Sequence, residues 1–372
     1  MSERYVLVMA GGSGSRLWPA STAARPKHLL GAHPEAPTLL DATLSRARAW
    51  VGDGRIWVIT TAAQRPAIVA AHPELPADQI LAEPCGRNTA PAIAFALLHL
   101  RAHLEERGIA PDRAVVVALP ADHHIAAPEA LERALERASD HALSEQIIVT
   151  LGIEPTRPDT GYGYIERDEA ARRGTPPIYP VRRFVEKPDA ERARAFLENG
   201  RFLWNAGIFV LPVAGALTAF NKHAPEIAAA LGPIAAALRS GDAAALDQAS
   251  ETAYAAVPSA PIDIAVMEKL ARLDVLPVKL GWNDLGSWAA IHGVSPLDSD
   301  DNALLSDSAG SIDAIDCAGS LVWSEGVEVV AIGLRGLAVI ASDGKLLVCP
   351  IERAQEVREA ARRSALRAAT KG

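Results

Sequence analysis

Short, almost entirely apolar segments alternate with alanine-rich segments along the first half of the chain. The apolar segments predict strands buried on both faces, at residues 5–10, 55–60, 114–119 and 146–151. The segments between them have the apolar spacing of helices, as at residues 88–104 and 127–142. This alternation predicts an α/β fold with a mixed, mostly parallel, Rossmann-like sheet that carries helices on both faces.

Two later regions change character. Residues 152–188 are rich in turn residues, which indicates an inserted hairpin or an antiparallel extension of the sheet. Short alternating segments at residues 321–323, 328–332, 337–341 and 346–348 predict a small β domain, which a charged helix over 353–368 closes. We therefore expect a main domain over residues 1–292 and a small C-terminal β domain over 293–372.

Charge and cysteine content restrict the class of protein. The 372-residue chain has a net charge of −8, whereas nucleic-acid-binding proteins usually carry a basic surface. Its three cysteines are widely separated, so neither a disulfide framework nor a thiolate metal site is expected. The sequence shows neither a signal peptide nor a run of about 18 apolar residues. These features predict a cytoplasmic protein that binds neither nucleic acid nor membrane.

The stretch MAGGSGSRLWPASTAARPKHLL (9–30) follows directly after the apolar run at residues 5–8 of the first predicted strand. Gly11, Gly12 and Gly14 let a ligand approach the main chain, whose N–H groups can bind an anion. Arg16 and Lys27 add a planar guanidinium and a compact ammonium, a combination suited to a polyphosphate. A tight turn with two surface cations is the alternative. The spacing matches neither GxxxxGK(S/T) nor GxGxxG, which argues against a P-loop and a dinucleotide-binding fingerprint.

Asp122 follows the predicted strand at residues 114–119, so we expect it at the carboxyl end of that strand, where open α/β sheets bind ligands. A loop cap or turn residue is the alternative for this aspartate. His123 and His124 are neighbours on an extended segment and point to opposite sides, so they are not expected to share one metal ion.

Eight sequence blocks carry a resemblance to a known family. In chain order they are GGSGSRLWPASTAARPKHLL (11–30), EPCGRNTAPAI (83–93), LPADHHI (119–125), GIEPTRPDTGYGYI (152–165), FVEKP (184–188), FLWNAGIF (202–209), PIDIAVMEK (261–269) and GWNDLGSW (281–288). Together they resemble the sugar-1-phosphate nucleotidyltransferases, in the form typical of mannose-1-phosphate guanylyltransferases. The resemblance implies the nucleotidyltransferase fold, and the C-terminal region is similar to a short β-helix-like tail. Ala121 and Ala206 stand where many relatives carry serine.

The resemblance also implies site residues. Those for the nucleotide are Gly11, Gly12, Gly14, Ser15, Arg16, Lys27, Arg87, Asn88 and Thr89. Those for the sugar phosphate are Gly163, Glu186, Lys187 and Asn205. Asp122 and Asp284 would hold Mg²⁺, because two adjacent carboxylates repel by about 1–4 kcal/mol at about 4 Å until a cation joins them. Those expected to act in catalysis are Arg16, Lys27, Asp122, Lys187 and Asp284.

Several of these residues have ordinary structural interpretations. Glu186 and Lys187 could form a surface ion pair, and residues 87–89 could simply cap the following helix. Trp204 is expected to pack rather than to stack on a ligand. The charges in residues 263–269 are interpreted as a solvated helix face.

The reaction that the resemblance implies is GTP + α-D-mannose 1-phosphate → GDP-mannose + pyrophosphate, by direct in-line attack with Mg²⁺. The partners are then GTP and mannose 1-phosphate, and the β-helix-like tail implies a homodimer. Alternatives are the same chemistry with another hexose 1-phosphate or nucleotide, a non-catalytic sugar-nucleotide-binding regulatory subunit, and a nicotinamide-dependent dehydrogenase, which the failed GxGxxG spacing disfavours.

Overall fold

The computed structural model describes residues 3–12 and 14–369. The strands are β1 (Glu3–Met9), β2 (Ile56–Thr61), β3 (Ile80–Glu83), β4 (Ala114–Pro120), β5 (His124–Ile125), β6 (Val149–Ile153), β7 (Tyr164–Arg167), β8 (Tyr179–Val185), β9 (Phe202–Pro212), β10 (Asp274–Val278), β11 (Trp282–Asn283), β12 (Ala303–Ser306), β13 (Ser311–Ile315), β14 (Leu321–Ser324), β15 (Glu328–Ile332), β16 (Leu337–Ser342) and β17 (Lys345–Pro350).

The α-helices are α1 (Leu39–Val51), α2 (Arg65–Ala71), α3 (Thr89–Glu106), α4 (Pro128–Glu145), α5 (Ala190–Asn199), α6 (Val213–His223), α7 (Pro225–Ser240), α8 (Ala243–Ala256), α9 (Ile262–Ala265), α10 (Trp288–Val294) and α11 (Val357–Ala369). Short 3₁₀ helices include Ser15–Leu17, Lys27–Leu29, Met267–Lys269 and Ile351–Glu356. Within the described residues, no helix is both long enough and apolar enough to cross a membrane.

Contacts group the chain into two compact units. The first comprises residues 1–11, 46–120 and 126–282, and the second comprises residues 12–45, 121–125 and 283–372. The boundary predicted between residues 292 and 293 lies inside α10, and the division into a main and a C-terminal domain stays a prediction.

The large sheet lies in the first unit and has the strand order β3-β2-β1-β4-β9-β6-β10-β8-β7. Among the described strands of this sheet, all run in one direction except β8 and β9, which pair antiparallel with their neighbours. The mixed, mostly parallel sheet predicted from the sequence is therefore confirmed. The antiparallel extension expected in residues 152–188 is the pair β7 and β8.

The centre of this sheet is covered on both faces. On β4, Val116 and Ala118 belong to the main hydrophobic cluster, which includes Phe95 and Leu97 of α3. Their alternating neighbours are equally buried, although they point to the other face. Because both faces exclude water, the sequence of this strand is apolar throughout.

The second unit contains a β-helix-like part. Strands β12, β14 and β16 pair in parallel, so that Ala303 lies opposite Leu321 and Leu321 lies opposite Ala338. The intervening strands β13 and β15 form a separate parallel pair. Successive turns of the chain thus contribute one strand to each sheet, which confirms the predicted small β-helix-like region. The expected terminal helix is the 3₁₀ helix at Ile351–Glu356 followed by α11.

Candidate active site

Gly14, in the second unit, begins a tight 3₁₀ turn in which Leu17 N donates to the Gly14 carbonyl at 2.8 Å, and we call this segment the glycine turn. Gly14 has a φ of 60°, in the left-handed region, and a Cβ there would lie 2.4 Å from Lys27 Cβ. Only glycine lets the turn pass this close to the lysine. Gly12 is exposed, and a Cβ on it would meet no atom within 4 Å, so its backbone remains approachable by a ligand.

Lys27 lies on the 3₁₀ helix Lys27–Leu29 and is only 7% exposed. Its Nζ donates a hydrogen bond of 2.7 Å to Asp122 Oδ2. Burial alone would raise the pKa of Asp122, but the Lys27 ammonium outweighs this effect and holds that pKa at about 2, with a smaller contribution from His123. The fold therefore places an ion pair between Lys27 and Asp122 beside the glycine turn, and the Asp122 carboxyl is ionised at neutral pH.

Asp284 contacts the Lys27 ammonium through its backbone rather than through its side chain. Lys27 Nζ also donates to the backbone carbonyl of Asp284. The Asp284 carboxylate accepts a hydrogen bond of 3.1 Å from Gly286 N, and a Cβ on Gly286 would lie 2.6 Å from Asp284 Oδ2. Gly286 thus donates a hydrogen bond to the Asp284 carboxylate and, because it has no Cβ, leaves space for that carboxylate. Lys27, Asp122 and Asp284, predicted from positions far apart in the sequence, do lie together.

The residues around Lys27 can be compared with the ligands that a divalent metal ion requires. No group of three or more His, Cys, Asp or Glu side chains that could hold an ion occurs within residues 3–12 and 14–369. Mg²⁺ is usually held by one or two carboxylates together with substrate phosphates. Asp122 contacts the Lys27 ammonium through its carboxylate and Asp284 contacts it through its backbone carbonyl, so the two residues that carry these carboxylates meet at one ammonium. The residues present therefore fit an ion that shares its ligands with bound phosphate.

Arg16 and Ser15 lie on the 3₁₀ helix Ser15–Leu17 that follows Gly14. The exposed Arg16 guanidinium donates from Nη1 to Gln355 Oε1, at 3.0 Å. Trp288 Nε1 donates to the carbonyl of Trp18 at 3.0 Å, which fixes the chain just beyond the arginine. Gln355 was not among the residues that the sequence indicated.

The residues predicted for the sugar phosphate lie together in the first unit. Asn205 N donates to the Gly163 carbonyl at 2.8 Å, and a Cβ on Gly163 would lie 2.6 Å from Glu186 Oε2. Lys187 forms an ion pair with Glu186, and its backbone has a φ of 46°. The predicted ion pair is thus present, but it lies beside Gly163 and Asn205 in one cluster.

Asp263 also belongs to this cluster, although the sequence suggested a solvated helix face. Asn205 Nδ2 donates to Asp263 Oδ1 at 2.8 Å. Burial, followed by the nearby charge of Glu186, raises the pKa of Asp263 to about 6, and Lys187 and Asn205 offset part of that rise. The interpretation as a solvated helix face holds for Glu268 and Lys269, which are exposed, but not for Asp263, which is partly buried and hydrogen-bonded to Asn205. A carboxylate directly after a Pro-Ile pair in a family block was the signal that could have found it.

The turn at residues 87–89 is hydrogen-bonded to the segment at residues 254–262, which comes directly before Asp263 in the sequence. The Asn88 side chain accepts a hydrogen bond of 2.8 Å from Thr89 N, which confirms the predicted helix cap. Arg87 Nε donates to the carbonyl of Tyr254 at 3.1 Å, and Thr89 Oγ1 accepts from Ile262 N at 2.9 Å. The turn predicted to bind the nucleotide and the sugar cluster are therefore linked through one short stretch of chain.

A buried carboxyl supports this turn. Tyr254 donates its hydroxyl proton to Glu83 Oε1 at 2.9 Å. Burial raises the pKa of Glu83 to about 7, and the tyrosine offsets part of that rise. Glu83 ends β3 just before the turn and was not among the predicted site residues. Trp204, as expected, packs: it is buried in a cluster with Tyr164 and Phe196.

The predicted residues fall in both compact units. The second unit contains Gly12, Gly14, Ser15, Arg16, Lys27, Asp122 and Asp284, and the first contains Gly11, Arg87, Asn88, Thr89, Gly163, Glu186, Lys187 and Asn205. His123 and His124 both make interactions, and His123 lowers the pKa of Asp122.

This chain is similar to known proteins over most of its length. Residues 5–301 match the family model described as Nucleotidyl transferase, and residues 311–363 match the MannoseP isomerase/GMP-like beta-helix domain. Xanthan biosynthesis protein XanB of Xanthomonas campestris pv. campestris is 36% identical over 365 residues, which is 96% of this chain and 73% of that protein. A mannose-1-phosphate guanylyltransferase of Klebsiella pneumoniae is 35% identical over 356 residues, which is 95% of this chain and 72% of that protein.

A solved structure is similar over nearly the whole chain. It comes from Thermus thermophilus and is described as a mannose-1-phosphate geranyltransferase. Its TM-score is 0.83 at 35% identity, and the match covers 98% of this chain and 99% of that chain. The two matched domain models, the identity to curated relatives and this fold together show that the chain belongs to the nucleotidyl transferase family, among the mannose-1-phosphate guanylyltransferases.

Proposed function

We propose that the protein transfers GMP from GTP to α-D-mannose 1-phosphate and releases GDP-mannose and pyrophosphate. The observation that carries this proposal is the ion pair of the buried Lys27 with the partly exposed Asp122 against the glycine turn, with the Asp284 carbonyl on the same ammonium. That arrangement suits a polyphosphate and its counter-ion. The curated relatives named for this activity supply the identity of the substrates.

The attacking group needs no base from the protein. A phosphate monoester has a second pKa near ~6, so the sugar phosphate is largely a dianion at neutral pH. One of its oxygens forms a bond to the α-phosphorus of GTP as the bond from that phosphorus to the β-phosphate oxygen breaks. The electron pair of the broken bond leaves with pyrophosphate. Catalysis then rests on positioning and on charge stabilisation.

Charged residues of the chain take separate parts in this step. Lys187 binds the phosphate of mannose 1-phosphate and so places the nucleophile. Arg16 and Lys27 bind the triphosphate and stabilise the negative charge that develops on the leaving pyrophosphate. Their different shapes suit the task, since a guanidinium can bind two oxygens at once whereas an ammonium acts as a compact charge.

A divalent metal is typical of this family. We propose Mg²⁺, with Asp122 and Asp284 as the residues that hold it. When bound, it would neutralise phosphate charge and act as a Lewis acid.

The first unit binds the sugar through the cluster around Asn205 and the base through the turn at residues 87–89. Glu186, Asn205 and Asp263 offer acceptors and one amide donor to sugar hydroxyls, and Gly163 offers its backbone. The turn at residues 87–89 binds the base and ribose.

We also propose a cytoplasmic homodimer. Cys85, Cys317 and Cys349 are all free thiols, which suits a reducing compartment.

An exposed apolar face supports the homodimer. On the paired strands β13 and β15, Ile315 and Ile332 lie opposite each other and are 45% and 66% exposed. A second copy covering this apolar face would remove it from water. Light scattering should give a dimer that Ile332→Lys converts to a monomer, and a monomeric parent protein would contradict the assembly.

The function is tested by the substrates that support pyrophosphate release. Initial rates are measured for GTP, ATP, UTP and dTTP, each with mannose 1-phosphate and with glucose 1-phosphate, with and without Mg²⁺. We expect release with GTP, mannose 1-phosphate and metal. Release with another pair would replace the substrates but keep the reaction, whereas binding of GDP-mannose without any turnover would indicate a regulatory subunit.

A further inference from the structure

The contact between Arg16 and Gln355 joins two segments that are 339 residues apart in the sequence. Gln355 lies on the 3₁₀ helix Ile351–Glu356, which follows the last strand of the β-helix-like part. Arg16 lies one turn after the glycine stretch. Both residues belong to the second unit, and the 3.0 Å distance is that of a direct hydrogen bond.

Packing on either side holds both residues in place. Leu17 is 1% exposed and shares a hydrophobic cluster with Ala354 and Val357, which are 1% and 3% exposed. These three residues are close sequence neighbours of the hydrogen-bonded pair. The backbones that carry Arg16 and Gln355 are therefore fixed against each other, although both polar side chains are exposed.

The chemistry of the pair suits orientation rather than neutralisation. A guanidinium has donors only, so the amide oxygen of Gln355 must face it. One N–H is used in this bond, and the others remain able to bind phosphate oxygens. The Gln355 amide carries no charge. It can therefore orient the Arg16 guanidinium without neutralising the positive charge that attracts a triphosphate.

We propose that Gln355 is a positioning residue that orients the Arg16 guanidinium for the triphosphate of GTP. The C-terminal segment would then contribute to nucleotide binding through Arg16, without touching the nucleotide. This inference rests on the proposed role of Arg16 in binding the triphosphate.

Two substitutions at residue 355 separate orientation from simple packing. Gln355→Met keeps the volume but removes the acceptor, and we expect the KM for GTP to rise about three- to tenfold, as for loss of one hydrogen bond. We expect kcat to fall by no more than the same factor, because Arg16 also stabilises the leaving pyrophosphate, while the KM for mannose 1-phosphate and the melting temperature stay near the parent values. Gln355→Glu gives Arg16 a competing carboxylate beside the triphosphate, so the KM for GTP should rise further while the melting temperature does not fall.

Glu352→Ala is the matched control, since Glu352 is exposed on the same 3₁₀ helix. It should leave all these parameters unchanged. A Gln355→Glu protein with an unchanged KM for GTP would overturn the inference, because a contact that only stabilises the fold would tolerate or gain from the added ion pair.

Arg16→Ala separates this inference from the proposed function. We expect it to raise the KM for GTP, and Gln355→Met should then add nothing in the double variant. A raised KM in Arg16→Ala beside an unchanged KM in Gln355→Met overturns the role of Gln355 alone. An unchanged KM in Arg16→Ala removes the role of Arg16 and, with it, this inference.

Discussion

Replacing Asp263 by asparagine should stabilise the protein and weaken its binding of the sugar phosphate. The fold raises the pKa of Asp263 from its ordinary value of 3.8 to about 6, through burial and the nearby charge of Glu186. A shift of this size corresponds to a cost of about 3 kcal/mol for the ionised form. Because the side chain is only partly buried, this cost is reduced by solvent. We therefore expect Asp263→Asn to raise the free energy of unfolding by about 1–3 kcal/mol above neutral pH.

The gain should depend on pH in a defined direction. Between pH 3.8 and about 6 the folded protein binds this proton more tightly than the unfolded chain does, so stability falls as the pH rises. Below that interval the carboxyl is protonated in both states, and the cost disappears. The stability difference between Asp263→Asn and the parent protein should therefore be small near pH 4 and largest above pH 7.

The measurement is urea unfolding of both proteins at several pH values, together with steady-state kinetics. The amide oxygen introduced by Asp263→Asn can still accept from Asn205, so the fold should persist, whereas a sugar hydroxyl loses a charged acceptor. We expect the KM for mannose 1-phosphate to rise about tenfold and the KM for GTP to stay unchanged. Asp247→Asn, on the outer part of α8, is the control and should change neither quantity. A variant less stable than the parent at pH 8, or one with a constant stability difference across pH, would refute the reasoning.

The remaining predictions concern the glycine turn, its lysine and the buried carboxyl. Gly14→Ala places a Cβ 2.4 Å from Lys27 Cβ, so turnover should fall at least about tenfold, whereas Gly12→Ala, whose Cβ meets nothing, should melt at the parent temperature. Lys27→Ala should lower turnover by at least about a hundredfold through loss of a preorganised charge, and near-normal turnover would contradict its role. Tyr254→Phe leaves Glu83 without its donor and should lower the free energy of unfolding by about 1–3 kcal/mol, measured by chemical unfolding, with an unchanged value counting against the buried pair.

The sequence predicted best those elements whose burial follows a simple pattern, either continuous or alternating. The strand predicted at residues 5–10 is observed as Glu3–Met9. Its apolar residues 5–8 are buried, as expected of a strand covered on both faces, whereas Glu3 and Arg4 at its start are partly exposed and gave no strand signal. The segment at 328–332 is observed with the predicted bounds. The glycine stretch indicated close approach of a ligand, and the structure adds that Gly14 makes room for Lys27 itself.

Contacts between distant segments could not be predicted in this way. The spacing of charges around Asp263 is that of an exposed helix, and its hydrogen-bond partner Asn205 lies 58 residues away in the sequence. Gln355 has no local signal at all, since its partner Arg16 lies near the other end of the chain. Hydrophobic periodicity reports the face of an element, but it carries no information on which polar partner the fold brings to that face.

The most direct test of the central claim follows a single reaction by ³¹P NMR. GTP and mannose 1-phosphate are mixed with the protein and Mg²⁺, and the phosphorus signals of both substrates and both products are recorded over time. We predict that GDP-mannose and pyrophosphate appear in equal amounts and only when both substrates are present. Pyrophosphate release from GTP in the absence of mannose 1-phosphate, or the absence of any turnover by folded protein, would contradict direct transfer.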